Sequence, residues 1–348
     1  MGALQPPLLH SAPTGIVVMR FLIAGLGSIG RRHLRNLLAL GQQDIVLYRT
    51  HRSTLPDDEL AGFPTETDLQ HALAHYRPDA VIVANPTAQH MEVAVPAAQA
   101  GCHLLLEKPI APSLEGTEAL QRAVREHGVR VLVGFQFRFH PTLRQVRKWL
   151  QQEAIGRPLF VRAHWGEYLP DWHPWEDYRQ SYAARADLGG GVVRTLCHPL
   201  DYLRYLLGET EVTWAATGHL SNLKLQGVED TAEIALRFAN GAWGSVHLNY
   251  HQRPPSHWLE VLGTEGTIRW AYATGEAQLW QSATQAWEVA SLPPGWERNT
   301  MFLDEMKHFL DIIRGQSLPE VTLEDGLATL NLILRIDGEN NAYPFRKS

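Results

Sequence analysis

Basic residues, cysteines and long apolar runs are all scarce in this sequence, and each scarcity removes a class of function. The 31 Lys and Arg residues are outnumbered by 37 Asp and Glu, for a formal net charge of −6. A broad nucleic-acid surface, which needs a basic excess or stripe, is not expected. No apolar run approaches membrane-spanning length. Residues 1–18 hold three prolines and no basic n-region, so a secretory signal is not expected either; they read as an N-terminal tail. Cys102 and Cys197 are too few for a disulfide framework, which leaves the cytoplasm as the expected location. His173 and His198 show neither H-x-H nor HExxH spacing, so no metal centre is expected. Internal repeats and low-complexity tracts are also lacking.

What is present begins at Phe21-Leu22-Ile23-Ala24, an apolar run that leads into Gly25-Leu26-Gly27-Ser28-Ile29-Gly30 and then into a helical pattern from Arg31 to Leu40. Strand, glycine turn and helix in that order are the context a dinucleotide-binding fingerprint requires. Gly25 permits the tight turn, Gly27 admits the pyrophosphate to the backbone, and Gly30 allows close helix–strand packing. The helix N-terminus offers free N–H groups and a positive dipole end to the phosphates. An ordinary strand-to-helix turn is the plainer alternative.

Further apolar runs at 45–48, 80–84, 103–106 and 129–133 alternate with helical patterns at 67–75, 90–101 and 113–127. This rhythm predicts a parallel sheet covered on both faces, in a Rossmann domain spanning 19–136. Beyond it the pattern changes. Helices are expected at 141–152 and 189–207, with a polar-aromatic stretch from 164 to 182. Alternating segments follow at 211–219, 231–238, 242–250, 258–262 and 266–270, and Asn240-Gly241 signals a hairpin. With closing helices near 301–315 and 324–337, residues 137–348 read as an α+β domain built on an antiparallel sheet. The closing helices are free to pack back on the first domain.

Glu107-Lys108-Pro109 ends the run 103–106, at the carboxyl edge where open parallel sheets bind ligands. Proline directs Lys108 away from helix. Asn85-Pro86-Thr87 occupies the same edge after 80–84, with Thr87 a natural helix N-cap.

The chain resembles the Gfo/Idh/MocA family, the relatives of glucose–fructose oxidoreductase and inositol dehydrogenase. The resemblance rests on Gly25–Gly30, on Asn85-Pro86-Thr87 with His90, on Glu107-Lys108-Pro109, and on Gly189-Gly190-Gly191 leading to His198 and Asp201. It implies an N-terminal Rossmann domain, an open mostly antiparallel C-terminal sheet, and NAD(P)-dependent redox chemistry on a sugar, polyol or nucleotide sugar. It also implies that Asn85, Pro86, Thr87, His90 and Glu107 border the coenzyme beside Gly25, Gly27, Ser28, Ile29 and Gly30. His198 is then a catalytic or substrate-orienting imidazole, and Asp201 its neighbour or a substrate contact. Assembly into homo-oligomers through the open sheet is part of the same expectation.

Lys108 is the first candidate for catalysis: partly desolvated beside a cationic ring, its pKa is expected to fall toward the working range. Glu107 reads as its positioning partner. Thr195 stands where many relatives carry an aspartate, and a hydroxyl orients substrate without acting as a base. Thr195, His198 and Asp201 share a helical spacing that Pro199 interrupts. Tyr168, Trp172 and His173 belong to a crowded aromatic segment suited to a sugar or, equally, to packing. Cys197 beside His198 reads as structural.

NAD-preferring Rossmann domains place an acid after the second strand, about 20 positions beyond the glycines. Here Arg49-Thr50-His51-Arg52 follows Ile45–Tyr48, which favours NADP over NAD. Two other functions stay open: glycoside cleavage by transient oxidation, and a dinucleotide-bound sensor without catalysis.

Overall fold

The computed structural model describes residues 19–50 and 55–342. The expected tail, and with it His51 and Arg52, lies outside the described residues.

Strands β1 (Phe21–Ala24), β2 (Ile45–Tyr48), β3 (Thr65–Glu66), β4 (Ala80–Val83), β5 (His103–Leu106) and β6 (Val131–Val133) form one parallel sheet, ordered β3-β2-β1-β4-β5-β6. Helices α1 (Ser28–Ala39), α2 (Leu69–Tyr76), α3 (His90–Gln99) and α4 (Thr117–His127) connect them. The strands are near-continuous apolar runs because both faces are covered; every residue of β1 and β4 is buried. This is a doubly wound Rossmann sheet whose strand order reverses between β1 and β4. Ligands of such sheets bind beyond the carboxyl ends at that point. The two-residue β3 is too short to carry a period, and the sequence does not announce it.

After α5 (Pro141–Gln151) the chain enters β7 (Pro158–Tyr168), then α6 (Val192–Thr195) and α7 (His198–Leu207). Seven strands follow: β8 (Thr210–Gly218), β9 (Thr231–Phe238), β10 (Trp243–Asn249), β11 (His251–Gly263), β12 (Gly266–Ala271), β13 (Glu276–Gln281) and β14 (Ala286–Ala290). With β7 they make a sheet ordered β14-β13-β12-β11-β7-β10-β9-β8, antiparallel throughout except where β10 runs parallel to β7. Asn240-Gly241 closes the β9–β10 hairpin, with Gly241 at φ +88. The end of β7 coincides with the polar-aromatic stretch, whose mixed character hides the alternation of Val161, Ala163 and Trp165 toward the core. Those residues face the helices, as do Ile234, Leu236 and Phe238, all at most 6% exposed. Trp270 is the largest fully buried side chain among the described residues, its indole N–H donating to Thr142 Oγ1 at 3.0 Å.

The closing helices α8 (Arg298–Ile313) and α9 (Leu323–Ala342) return to the first sheet. Asn299 Nδ2 donates to Asn36 Oδ1 at 2.8 Å, and Val133 N to Val321 O at 3.1 Å. Among the described residues no helix is long and apolar enough to cross a membrane.

Candidate active site

The glycine turn has the shape its residues demand. Gly25 has φ +91, and a Cβ there would lie 2.5 Å from the backbone of Asn85. A Cβ on Gly30 would lie 1.9 Å from the Gly25 carbonyl oxygen, so helix and turn touch only because that carbon is missing. Gly27 is different: nothing stands within 4 Å of its Cβ position. Two glycines therefore serve packing, and the third leaves open space at the start of α1. Ser28 and Ile29 open that helix, whose first turn carries no acidic side chain. A pyrophosphate fits this cradle by geometry and by charge.

On the ribose side, Arg49 follows β2 and Thr50 is exposed beside it. The Arg49 guanidinium is 8% exposed and pairs with both Asp57 oxygens, at 2.7 and 2.9 Å. Arg31, buried in the first turn of α1, ties the glycine turn to the segment beyond Asp57, donating to Leu26 O at 2.9 Å and to Glu59 Oε1 at 2.9 Å. At the end of β4, His90 Nε2 bonds to Asn85 O at 2.9 Å, and Asn85 Nδ2 donates to Gln89 O at 3.0 Å. Thr87 caps no helix. It follows Pro86 in a short 3-10 turn, is 2% exposed, and packs against Gly189 of the second half.

Glu107 and Lys108 leave β5 in opposite directions. Glu107 is 6% exposed and accepts from His33 Nε2 at 2.8 Å. Burial would raise its pKa, but the hydrogen bond and charge of His33 and the charge of Lys108 hold it below the usual glutamate value. It is an inward anion that also accepts from the backbone N–H of its neighbour, Lys108, at 3.3 Å. Lys108 Nζ crosses toward the second half and donates to Thr195 O at 2.8 Å. Burial alone would push the ammonium down, yet Tyr182, Cys197 and Glu107 act the other way and hold it above the ordinary lysine value. The strongest protein groups that oppose the lowering expected beside a cationic ring, Tyr182 and Cys197, come from segments remote in sequence.

Gly191, at φ +110, starts α6, and α6 and α7 are separate helices: Pro199 sits in the first turn of α7. The break separates Thr195 from the helix that carries His198 and Asp201. His198 stays at the site. It is 3% exposed, rests on Phe135 and Phe137 with ring centroids 5.7 and 5.0 Å away, and receives Gln136 Nε2 on its own Nε2 at 3.3 Å. Its Nδ1 is buried without a hydrogen-bond partner. Burial first, then the charges of Lys108, His257 and Arg298, push its pKa well below 6.5, so the imidazole is neutral near pH 7. The Thr195 hydroxyl is also buried, beside the Tyr250 phenol.

Asp201, expected as a neighbour of His198 or a substrate contact, is engaged by an arginine. It is 1% exposed and receives Arg138 on both oxygens, at 3.0 and 2.6 Å. The sequence gives no hint of this, since Arg138 lies 63 residues upstream. Cys197 is a buried thiol whose pKa burial pushes up to about 12, which excludes a thiolate nucleophile. Trp172 reaches the site indirectly, edge-on to Tyr250, whose hydroxyl donates to Gly191 O at 2.8 Å. His173 packs against Trp175, and Tyr168 lies under the Arg253 guanidinium at 3.7 Å. His33, Gln136, Arg138, Tyr182 and Tyr250 carry no motif that sequence reading detects.

Residues 19–135 match the family described as "Oxidoreductase family, NAD-binding Rossmann fold", and residues 143–269 match "GFO/IDH/MocA C-terminal domain". Levoglucosan dehydrogenase of Pseudarthrobacter phenanthrenivorans is 32% identical over 219 residues, 55% of this chain and 55% of that protein. The scyllo-inositol 2-dehydrogenase (NAD(+)) of Bacillus subtilis is 28% identical over 338 residues, 93% of this chain and 94% of that one. Among solved structures, the WlbA dehydrogenase from Bordetella pertussis in complex with NADH and UDP-GlcNAcA superposes with a TM-score of 0.76 at 25% identity, covering 93% of this chain and 97% of the other.

Proposed function

Because this chain belongs to the Gfo/Idh/MocA family of NAD-binding oxidoreductases, we propose that it interconverts a secondary hydroxyl and a ketone on a sugar, polyol or nucleotide sugar. The observation that carries the reading is the Lys108 ammonium at the carboxyl edge of β5, aimed across the cleft at the Thr195 carbonyl beside His198.

A nicotinamide nucleotide bound along the glycine turn supplies the hydride donor or acceptor. The chain's own groups do the rest. Gly27, Ser28 and Ile29 offer backbone N–H groups to the phosphates. Lys108 points a proton at the reacting oxygen: as an ammonium it donates to a ketone, and after losing that proton the amine takes one from a hydroxyl. Its charge stabilises negative charge developing on that oxygen, in a cleft where water is scarce. Thr195 O fixes the direction of the ammonium. Neutral His198 keeps Nδ1–H as a donor for a substrate hydroxyl, and Thr195 orients without acting as a base.

NADP(H) is the preferred coenzyme in this reading. No carboxylate stands in the first two positions after β2, and Arg49 can exchange half-exposed Asp57 for a 2′-phosphate. A second copy covers the outer face of the eight-stranded sheet, where Trp243 is 61% and Trp287 44% exposed; sedimentation of the purified protein measures this. Ile234, Leu236 and Phe238 belong to the opposite, covered face. The cytoplasm suits two buried free thiols.

The test is a titration with NADPH and NADH, followed by a sugar and nucleotide-sugar panel read at the nicotinamide absorbance. Turnover linked to coenzyme reduction or oxidation is expected. Sugar release without net coenzyme change would favour glycoside cleavage, and tight coenzyme binding with no turnover on the panel would favour a sensor.

A further inference from the structure

Thr195 O, which receives the Lys108 ammonium at 2.8 Å, ends α6, a helix of only four residues. A single turn does not hold itself, because nucleation costs more than its few hydrogen bonds return. Its direction is therefore set from outside. The last carbonyls of a helix lack partners within it, and Thr195 O is available to the ammonium for that reason. Where this carbonyl points depends on how the opposite end of the turn is fixed.

The opposite end is capped from elsewhere in the chain. Its N-cap residue is Gly191, which has no side chain to offer the free N–H groups. Glu229 supplies the acceptor instead: its Oε1 receives Val193 N at 3.0 Å, and its backbone O receives Val192 N at 3.2 Å. The missing Cβ of Gly191 makes the room, since a carbon there would lie 2.6 Å from Glu229 Oε1. Glu229 is itself held by the second sheet. It stands two residues before β9, and the next residue, Asp230, donates its N–H to Gly218 O at the end of β8, at 3.0 Å. The Tyr250 hydroxyl closes the same end on Gly191 O at 2.8 Å. Val193 and Thr195 are two residues apart, about 3 Å along the helix axis. A tilt at the capped end thus reaches the carbonyl. A carboxyl group at a helix N-terminus also suits the helix dipole. Burial raises its pKa, which the Val193 N–H opposes, so the acceptor oxygen counts for more here than a full negative charge.

We propose that Glu229 is a positioning residue for the reaction: by capping α6 from the segment between β8 and β9, it fixes the Thr195 carbonyl that directs Lys108. This rests on the oxidoreductase reading above and extends it to a residue that acts through another group.

The experiment compares the unaltered protein with Glu229→Ala and Glu229→Gln. It measures coenzyme Kd, urea midpoint, kcat and KM on the best sugar, and the pH dependence of Lys108 acetylation by acetic anhydride, read by mass spectrometry. In Glu229→Ala, kcat is expected to fall on the order of a hundredfold, the cost of about 1 Å of misplacement, with coenzyme Kd and substrate KM within about threefold. Acetylation of Lys108 moves to lower pH, because the ammonium loses its carbonyl acceptor. The other groups that act on Lys108, namely Glu107, Tyr182, Cys197 and Arg298, are the same in all three proteins. Glu229→Gln keeps an oxygen for the Val193 N–H and is expected to recover most of the lost kcat and the original acetylation curve. A merely structural role would lower the urea midpoint while leaving the acetylation curve and the kcat per folded molecule unmoved, which would overturn the proposal. Glu229→Gln no better than Glu229→Ala would overturn it too. If the unaltered protein turns over no sugar, the redox reading fails, and the acetylation curves decide the positioning of Lys108 by themselves.

Discussion

Every residue of β1 and β4 is buried, whereas β10 and β12 of the second sheet bury mainly alternate residues and leave the others toward an open face. The first sheet, covered on both sides, leaves its carboxyl edge as the place for chemistry, and backbone demands choose the residues there. The second sheet spends one face on packing against helices and the other on its surroundings. In the function proposed above, coenzyme recognition rests on backbone and glycine, and substrate recognition on side chains that the second half brings across, such as His198.

The comparison breaks most sharply at Gly30. Its replacement by Ala puts a carbon 1.9 Å from Gly25 O, where backbone and not a flexible side chain must yield. A loss of at least about 3 kcal/mol in unfolding free energy, with coenzyme binding abolished, is expected from overpacking of this kind. Chemical denaturation and coenzyme titration check it. A stable variant with normal affinity would show that the turn is looser than its contacts imply.

At the seam between the halves, Arg138 holds Asp201 at 2.6 Å and Asp325 at 3.1 Å. Arg138→Met leaves buried carboxylate unpaired, at a cost of about 3–5 kcal/mol by urea denaturation. Asp201→Asn is expected to lower stability while leaving the substrate KM within about twofold, since Arg138 already engages both oxygens of this buried carboxylate. A large KM change at unchanged stability would return Asp201 to the pocket.

A gentler probe is pH. Burial holds His198 and His257 well below 6.5 and lowers His140 to about 4, so all three are neutral when folded and gain a proton on unfolding in mild acid. Below about pH 6.5 the unfolded chain binds more protons, so stability is full above that value and falls as pH drops, by up to about 1.4 kcal/mol per pH unit for each histidine. For His140 the loss continues down to about 4. Urea midpoints between pH 7.5 and 4.5 measure the slope, and His140→Gln is expected to flatten it. A slope unchanged in that variant would mean that His140 is protonated in the folded protein.

The same contrast explains what could be read from the chain. Strands β1, β2, β4 and β5 were legible because double burial writes them as uninterrupted apolar runs, and the glycine turn because steric demands leave no other residue. Lys108 was legible as a site residue from Pro109 and the strand end, but its proton affinity was not, since Tyr182 and Cys197 reach it only through the fold. The partner of Asp201 was not legible because its arginine lies far away in sequence. The role of β7 was obscured where its inward alternation runs into Trp165, Glu167 and Tyr168.

The most direct test of the account is Lys108→Met, measured for coenzyme affinity and for turnover on the best sugar substrate. The account predicts a coenzyme Kd within about threefold of the unaltered protein, with kcat reduced on the order of a thousandfold or more. Turnover that survives the substitution would contradict it, because the reacting oxygen would then receive its proton and its charge stabilisation from another group.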